Sequence, residues 1–576
     1  MTDDTLSVLK YSGKYIRYQL PLFLISPFIL LFSAVRPFLI RFLIDDIVGK
    51  SRFEFLGIYI AALIGVTFIE HLFTLIGNYM YYKTANRVVV DEQNALFEKL
   101  LKVPMWKHTY LNTGDLMSRV LNDVPEMAEV LGIAIAVIFS NVFTLFLVSG
   151  VLIYFCWKLA LVTFIMLPVY YFSLKAFNRK IRETAKKERE KYAKLTESFR
   201  EKIEGIWAIK GLNKISFFKD LFSKNVNEWF KAKNRYSFFS RCDEEVVGFI
   251  ASLTPALVLG FGGYLIMKGQ LTLGTLIGFY SYVGWLYSPV RVLSQYYVSL
   301  QRAGQILRRI DDIYKLPEEN EKSGEVLLGS DVKTVAYENV SFSYNNSPVL
   351  KDINFIIRGR ERVAIVGTSG SGKSTILNLL PKFYEVSSGR VLVNDKNIKE
   401  YVLENLRKNV IIVRQNDFLF NMSIRENIIL DDEFSEEEFK EAVKIACVDK
   451  FVNELENGYE TLVGERGTKL SDGQRQRVAI GRAVIRKPKV LILDEATSGV
   501  DSKTEEEIFK NLLELNTTLI IVSHRLSTIK KANKIFVVDN GEIICEGDHD
   551  ELLKNCMEYR QIIQGQLIEQ IETARQ

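Results

Sequence analysis

Histidine and cysteine are scarce in this 576-residue chain, at four and five residues. The cysteines, Cys156, Cys242, Cys447, Cys545 and Cys556, fall at no short paired spacing, which fits neither a disulfide framework nor a tetrahedral metal site and predicts isolated thiols. So few histidines argue against a histidine-based metal enzyme. Net charge is lacking too. Seventy-four Lys and Arg against 69 Asp and Glu leave +5, too little for a chain whose work is to neutralise a polyanion, so no nucleic-acid partner is expected. The N-terminus is mixed in polarity up to Arg17 and lacks the charged-then-apolar pattern of a cleaved signal peptide, so it is expected to stay on the protein. After Val290 there is no long uncharged apolar run.

Before Val290 such runs are abundant. No charged residue occurs in residues 18–35, 55–69, 130–157, 159–174, 246–267 or 269–290. A helix rises about 1.5 Å per residue and needs roughly 20 apolar residues to cross a hydrocarbon core of about 30 Å. With their flanks the runs reach that length, predicting six spans at about 18–43, 55–82, 130–157, 159–180, 246–267 and 269–300. They are apolar all round rather than on one face, which separates them from the core helices of a soluble protein. The loops after spans two and four run to roughly fifty and seventy residues, far beyond ordinary connections.

Those long loops are also the basic ones. Arg87, Lys99, Lys102, Lys107 and Arg119 lie in the first, and Lys175, Arg179, Lys180, Arg182, Lys186, Lys187 and Arg189 begin the second. Positive-inside bias places both loops, the N-terminus and everything after span six in the cytoplasm. Leu96, Leu100, Leu101, Ile203, Ile209 and Leu212 recur at near-helical intervals, so the spans are expected to continue out of the bilayer as long hairpins. Glu183, Glu188 and Glu190 interleave with the basic run, as on a solvated helix face. Arg36 and Arg41 in span one, and Glu70 and His71 in span two, would each cost about 2.5–3.5 kcal/mol at a helix centre. Two readings stand for them: a polar cavity with Arg36 paired to Glu70 across helices, or charges at the outer membrane boundary. Phe279, Tyr280, Tyr282, Trp285 and Tyr287 in span six either contact an amphipathic substrate or pack against helices and lipid.

The second half changes character. Residues 1–315 form the spanning domain, 316–334 read as a polar linker, and from 335 to 576 short β-rich runs alternate with helices, the pattern of an α/β domain. Within it the strand Val363, Ala364, Ile365, Val366 feeds Gly367, Thr368, Ser369, Gly370, Ser371, Gly372, Lys373 and Ser374, then a helical run from Thr375. Strand, glycine-rich loop and helix are the context of a P-loop. Glycines let backbone N–H groups close around phosphate oxygens, Lys373 reaches the β- and γ-phosphates, and the Ser374 hydroxyl can ligate Mg²⁺. A second strand, Val490 to Leu493, ends in Asp494 and Glu495. That delivers one carboxylate beside the metal and one where a water attacking the γ-phosphate needs a base.

Between these strands run Leu470, Ser471, Asp472, Gly473, Gln474, Arg475, Gln476 and Arg477, and the string resembles the signature sequence of the ATP-binding cassette (ABC) transporter family. Other family marks follow in the expected order: Tyr344 resembles the adenine-stacking A-loop residue, Gln415 the Q-loop, residues 461–467 a segment typical of exporters, residues 498–501 the D-loop and His524 the switch histidine. Thr113, Gly114, Asp115 and Leu116, with Ser118, Arg119, Asn122 and Asp123, resemble the exporter pattern around a coupling helix. The resemblance covers nearly the whole chain.

It implies an all-α six-helix transmembrane domain fused to a cytoplasmic α/β P-loop nucleotide-binding domain. The implied activity is ATP-driven export or flipping of an amphipathic drug, lipid or peptide by alternating access in a dimer of half-transporters. The implied setting is the cell membrane, with ATP and Mg²⁺ as cofactors. Carried over residue by residue, Glu495 and His524 are catalytic. Tyr344, Gly367, Thr368, Ser369, Gly370, Ser371, Gly372, Lys373, Ser374, Thr375, Gln415, Ser471, Gly473, Gln474 and Asp501 contact nucleotide, and Ser374, Gln415 and Asp494 serve the metal. Asp472 stands where the family usually has glycine, Gly499 and Val500 replace the commoner Ala and Leu of the D-loop, and Lys214, Ile215 and Ser216 stand where an acidic residue is frequent. A homodimer is the favoured assembly. The alternatives are the catalytically competent subunit of a heterodimeric exporter and an ATP-gated membrane regulator that moves no cargo.

Overall fold

Residues 3–329, 331–345, 347–523 and 525–564 are described by the computed structural model, in two units. One holds the chain up to Leu101 together with Asn112–Leu316; the other holds Lys102–Leu111 and the chain from Pro317.

The first unit is built of the long helices Ile16–Phe42, Leu56–Leu101, Ala134–Glu204, Ile215–Met267 and Leu273–Tyr314. Four helical stretches among the described residues, Leu6–Val48, Phe53–Leu101, Thr113–Glu204 and Ile215–Met267, are long and apolar enough to cross a membrane. The third is 92 residues long and contains a break at Cys156, whose backbone is extended (φ −163°, ψ 103°). The break lies two residues before Lys158, the charged residue between the expected third and fourth spans. A turn at Gly132 and Ile133 precedes the helix that starts at Ala134. A Cβ on Gly132 would lie 3.1 Å from the Ala85 Cα, so the glycine lets this turn approach the helix Leu56–Leu101 closely. That helix is unbroken for 46 residues, about 70 Å at the helical rise, more than twice a hydrocarbon core.

Side-chain packing separates the two readings of the intramembrane polar and aromatic groups. Arg36 Nη2 lies 2.7 Å from Glu70 Oε2, and the Ser33 hydroxyl donates to Glu70 Oε1 at 2.6 Å, so the two charges pair across helices. His71 is exposed, and its ring nitrogen lies 3.0 Å from the Thr67 carbonyl of its own helix. Phe279, Tyr282 and Tyr287 are buried. The Tyr282 hydroxyl donates to the Ala34 carbonyl, and the Tyr287 and Thr254 hydroxyls pair at 2.5 Å, which makes these rings helix-packing groups.

One carboxylate organises the end of this unit. Glu92 is 1% exposed and accepts from the hydroxyls of Tyr11 (2.7 Å), Tyr15 (2.6 Å) and Tyr314 (3.1 Å) and from Lys14 Nζ (3.3 Å). It thus ties the N-terminal helices to the helix Leu56–Leu101 and to the last residue of Leu273–Tyr314. Burial disfavours the carboxylate, but the Tyr15 and Tyr11 hydroxyls and the Lys14 charge outweigh it and hold Glu92 below the usual carboxylate range. A depressed carboxyl stabilises the fold above its unfolded value and loses that contribution as pH falls through the folded one. Glu92→Gln is expected to destabilise the protein by about 2 kcal/mol at neutral pH. The difference from wild type in thermal midpoint should shrink on acidification below about pH 4.5.

The second unit carries two sheets. β1 (Thr334–Tyr344), β2 (Ser347–Arg358), β4 (Ser388–Val393) and β5 (Lys396–Asn397) form an antiparallel sheet in the order β2-β1-β4-β5. β3 (Arg362–Gly367), β6 (Val410–Arg414), β7 (Val490–Asp494), β8 (Thr518–Val522), β9 (Lys534–Asp539) and β10 (Glu542–Gly547) form the other, ordered β10-β9-β3-β8-β7-β6. There β6, β7, β8, β3 and β9 run parallel and β10 antiparallel. The parallel strands are buried almost throughout, as strands covered on both faces must be. The expectation of isolated thiols is corrected at one pair: Cys545 and Cys556 form a disulfide with Cα atoms 6.4 Å apart. A separation of 11 residues carries no local signal, and the partners meet because β10 and the end of the helix His549–Asn555 pack on one core.

Candidate nucleotide site

β3 lies at the centre of the parallel sheet, between β8 and β9, and delivers the glycine-rich loop at its end. A Cβ on Gly367 would lie 2.1 Å from the Val538 carbonyl oxygen, so only glycine fits there. Gly370 and Gly372 have φ of +82° and +105°, which a glycine adopts without strain. Lys373 is 7% exposed and its Nζ donates to the carbonyls of Gly367 (2.9 Å) and Thr368 (2.8 Å). Burial pushes this ammonium down, while Glu495 and Asp494 pull it up. The Ser371 hydroxyl is buried and has no hydrogen-bond partner among the described residues. An unpaired buried hydroxyl is costly.

β7 sits beside β8 and presents Asp494 and Glu495 at the same end of the sheet. Burial pushes Asp494 up, and a hydrogen bond from the Ser374 hydroxyl and the Arg414 and Lys373 charges act against it. Glu495 has φ of +51°, a left-handed backbone that costs a non-glycine residue of order 1–3 kcal/mol. Its N–H donates to the Val522 carbonyl at 3.0 Å, which holds this conformation at the strand end. Tyr344, at the end of β1, is half-buried, and its hydroxyl is 3.5 Å from Thr375 Oγ1 just after the P-loop. Ser471 caps the helix Asp472–Val484, accepting from the Gln474 N–H (3.3 Å) while Gln474 Oε1 accepts from the Ser471 N–H (2.9 Å). Asp501 caps the helix Ser502–Leu513 through the Thr504 N–H. His524 lies outside the described residues.

Comparison with known proteins agrees with both halves. Residues 22–290 match the family model of the ABC transporter transmembrane region and residues 350–498 that of the ABC transporter. YgaD of Bacillus subtilis (strain 168), named as a multidrug export ATP-binding/permease protein, is 32% identical over 538 residues, covering 91% of this chain and 93% of that one. The chain belongs to the ABC transporter family. The ATP-dependent lipid A-core flippase of Syntrophus aciditrophicus (strain SB) is 32% identical across 92% of this chain and 89% of its own length. The fold matches a bacterial Atm1-family ABC exporter solved with ATP bound, with a TM-score of 0.79, 24% identity and coverage of 96% and 98% of the two chains. This chain is accordingly a multi-pass membrane protein that binds and hydrolyses ATP and drives export.

Its departures from the ABC pattern are linked in space. Gly473 packs against the D-loop so closely that a Cβ would lie 2.5 Å from the Gly499 carbonyl oxygen. A Cβ on Gly499 would in turn lie 3.0 Å from the Asp472 Cβ, tighter than ordinary van der Waals contact. Asp472 brings a side chain where the family usually has none, and glycine at 499, in place of the commoner alanine, makes room for it. The Asp472 carboxylate is paired by Arg475, one turn along the same helix, which offsets the extra negative charge.

Three residues missed by sequence reasoning hold these loops. Gln476 donates to the Gln415 carbonyl (3.1 Å) and the Ser498 hydroxyl (3.0 Å) and accepts from the Gly499 N–H (2.8 Å), tying Q-loop, signature helix and D-loop together. Arg525, beside His524 in sequence, donates to the carbonyls of Ser498 (3.0 Å) and Val500 (2.8 Å). Its guanidinium is paired by Glu505, 2% exposed, which also accepts from Thr497 (2.8 Å) and Thr528 (3.3 Å). One sequence signal was available for Glu505, a carboxylate among the apolar positions of an amphipathic helix, which is buried only when paired.

Proposed function

We propose that this half-transporter exports or flips an amphipathic substrate with an anionic head, as a homodimer whose cassettes and N-termini face the cytoplasm. The observation that carries the substrate class is a cavity of about 720 Å³ between the helices Ala134–Glu204 and Leu273–Tyr314. Tyr171, Leu174, Leu293 and Tyr297 make its walls apolar, and Lys175, Arg179 and Arg182 outnumber the one acidic lining residue, Glu183, which pairs Arg179 at 3.2 Å and leaves Lys175 and Arg182 as the surplus positive charge. An apolar groove with a basic end suits a lipid or acidic amphiphile. Arg36 is neutralised by Glu70 and contributes less to such selection. The relatives named for lipid A-core and multidrug export are consistent with an amphiphile as cargo.

In the cassette, the P-loop backbone and Lys373 would hold the phosphates, and Tyr344 would stack on adenine. Ser374 and Asp494 offer hard oxygens facing one another, the donor set that magnesium takes, and the ion would neutralise developing phosphate charge when bound. Glu495 would accept the proton of the attacking water, and His524 would hold that water in line. The cavity beside the signature helix, about 470 Å³, is lined by Gln415, Arg466, Asp472, Arg475 and Gln476 among others, and by none of residues 367–375. By the pattern of the ABC family, the phosphates that Ser471 reads would come from a second chain. ATP then closes the pair by binding the closed state better than the open one, and hydrolysis resets it.

Proteoliposomes test the reading. ATP-dependent movement of a fluorescent anionic lipid is expected, together with lipid-stimulated ATPase activity that Arg179→Glu with Arg182→Glu reduces several-fold. ATPase activity that no amphiphile stimulates, with no ATP-dependent movement across a panel of lipids, drugs and peptides, would instead support the regulator.

A further inference from the structure

The tip of the first long hairpin, Lys102–Leu111, groups with the cassette. It forms the short helix Met105–His108 and is fastened to the cassette at two points. The Glu319 N–H donates to the Lys102 carbonyl at 2.6 Å, and the Thr109 hydroxyl meets the Tyr384 hydroxyl at 3.2 Å. Trp106 and Tyr110 on this tip share a cavity of about 420 Å³ with Tyr344 and Tyr384, a size usual for small-molecule sites.

That cavity has the features of a base pocket. The Tyr344 ring stands edge-on to Tyr384, with centroids 5.2 Å apart, so Tyr384 fixes its orientation. The contact of Tyr344 with Thr375 places the cavity beside the P-loop. Trp106 and Tyr110 remain 41% and 49% exposed. Two large rings left half in water on the rim of a cavity gain from a flat π-surface laid against them. Asn345 and Glu385, also lining the cavity, supply an amide and a carboxylate suited to the ring nitrogens and the exocyclic amine of adenine.

We propose that Trp106 and Tyr110 form the second wall of the nucleobase site, holding the adenine of P-loop-bound ATP between Tyr344 and the hairpin tip. The proposal rests on Tyr344 being the first wall. Its consequence is that nucleotide touches the hairpin directly. ATP binding and docking of the tip then favour one another by the same factor, as linkage requires.

Steady-state ATP hydrolysis by the full-length protein in lipid nanodiscs tests this, with magnesium tripolyphosphate as a competitor that lacks a base. Trp106→Ala and Tyr110→Ala are each expected to raise KM for ATP about tenfold, the order of one base–aromatic stack. Their kcat should stay within about twofold, Trp106→Phe should restore KM, and the inhibition constant of tripolyphosphate should not move. If Tyr344→Ala raises KM and neither hairpin variant does, the platform stands and the second wall is overturned. If none of the three changes KM, both walls fall. Weaker tripolyphosphate binding in the hairpin variants, matching the loss for ATP, also overturns the proposal, because it marks a distorted P-loop rather than a lost stack.

Discussion

Glu495→Gln is expected to lower ATP turnover by at least about a hundredfold while leaving nucleotide affinity nearly unchanged, since a positioned general base contributes on the order of 10²–10⁴. A carboxamide has the size of the carboxylate but cannot take a proton. The proposed phosphate cradle, with Gly367, Gly370, Gly372 and Lys373, follows a different strand, so binding should survive. The left-handed backbone at 495, held by the Val522 carbonyl, is retained in the variant, which confines the change to proton acceptance. Phosphate release and equilibrium ATP binding measured on the same preparation check it. Turnover within tenfold of wild type would remove Glu495 from the role of base.

The second large effect is structural in origin and catalytic in outcome. Glu505→Ala should cost about 3 kcal/mol, the consequence of leaving a part-buried guanidinium and two buried hydroxyls without their shared acceptor. For a domain of this size that is roughly 6–12 °C in thermal midpoint. The stranded groups are the Arg525 guanidinium and the hydroxyls of Thr497 and Thr528. Because Arg525 also holds the carbonyls of Ser498 and Val500, the D-loop loses its anchor, and ATPase activity should fall even at temperatures where the variant is folded. A variant with wild-type melting and wild-type turnover would show that the D-loop is held by Gln476 alone.

The P-loop was legible because its demands are local: a buried strand, glycines where a Cβ would strike backbone or φ is positive, then Lys373 and Ser374. The apolar runs were legible for the same kind of reason, since crossing a hydrocarbon core requires length and absence of charge within one segment. The helix break at Cys156 was not, because nothing in that uncharged run marks it. Nor were Gln476, Glu505 and Arg525, which act across gaps of about twenty residues or more. Glu92 reaches Tyr11 across 81 positions and Tyr314 across 222. The departures at Asp472 and Gly499 looked like two independent irregularities and proved to be one steric adjustment.

The amino-acid sequence by itself determined the class of this protein: membrane-crossing helices in the first half and an ATP-binding cassette with a glycine-rich loop in the second. Tertiary structure alone decided which charges are neutralised, with Arg36 on Glu70, Asp472 on Arg475 and Arg525 on Glu505, and which aromatic groups share the cavity beside Tyr344. Hydrophobic periodicity and backbone conformation are properties of a few consecutive residues. Pairing depends on the register between helices and strands that meet only after folding.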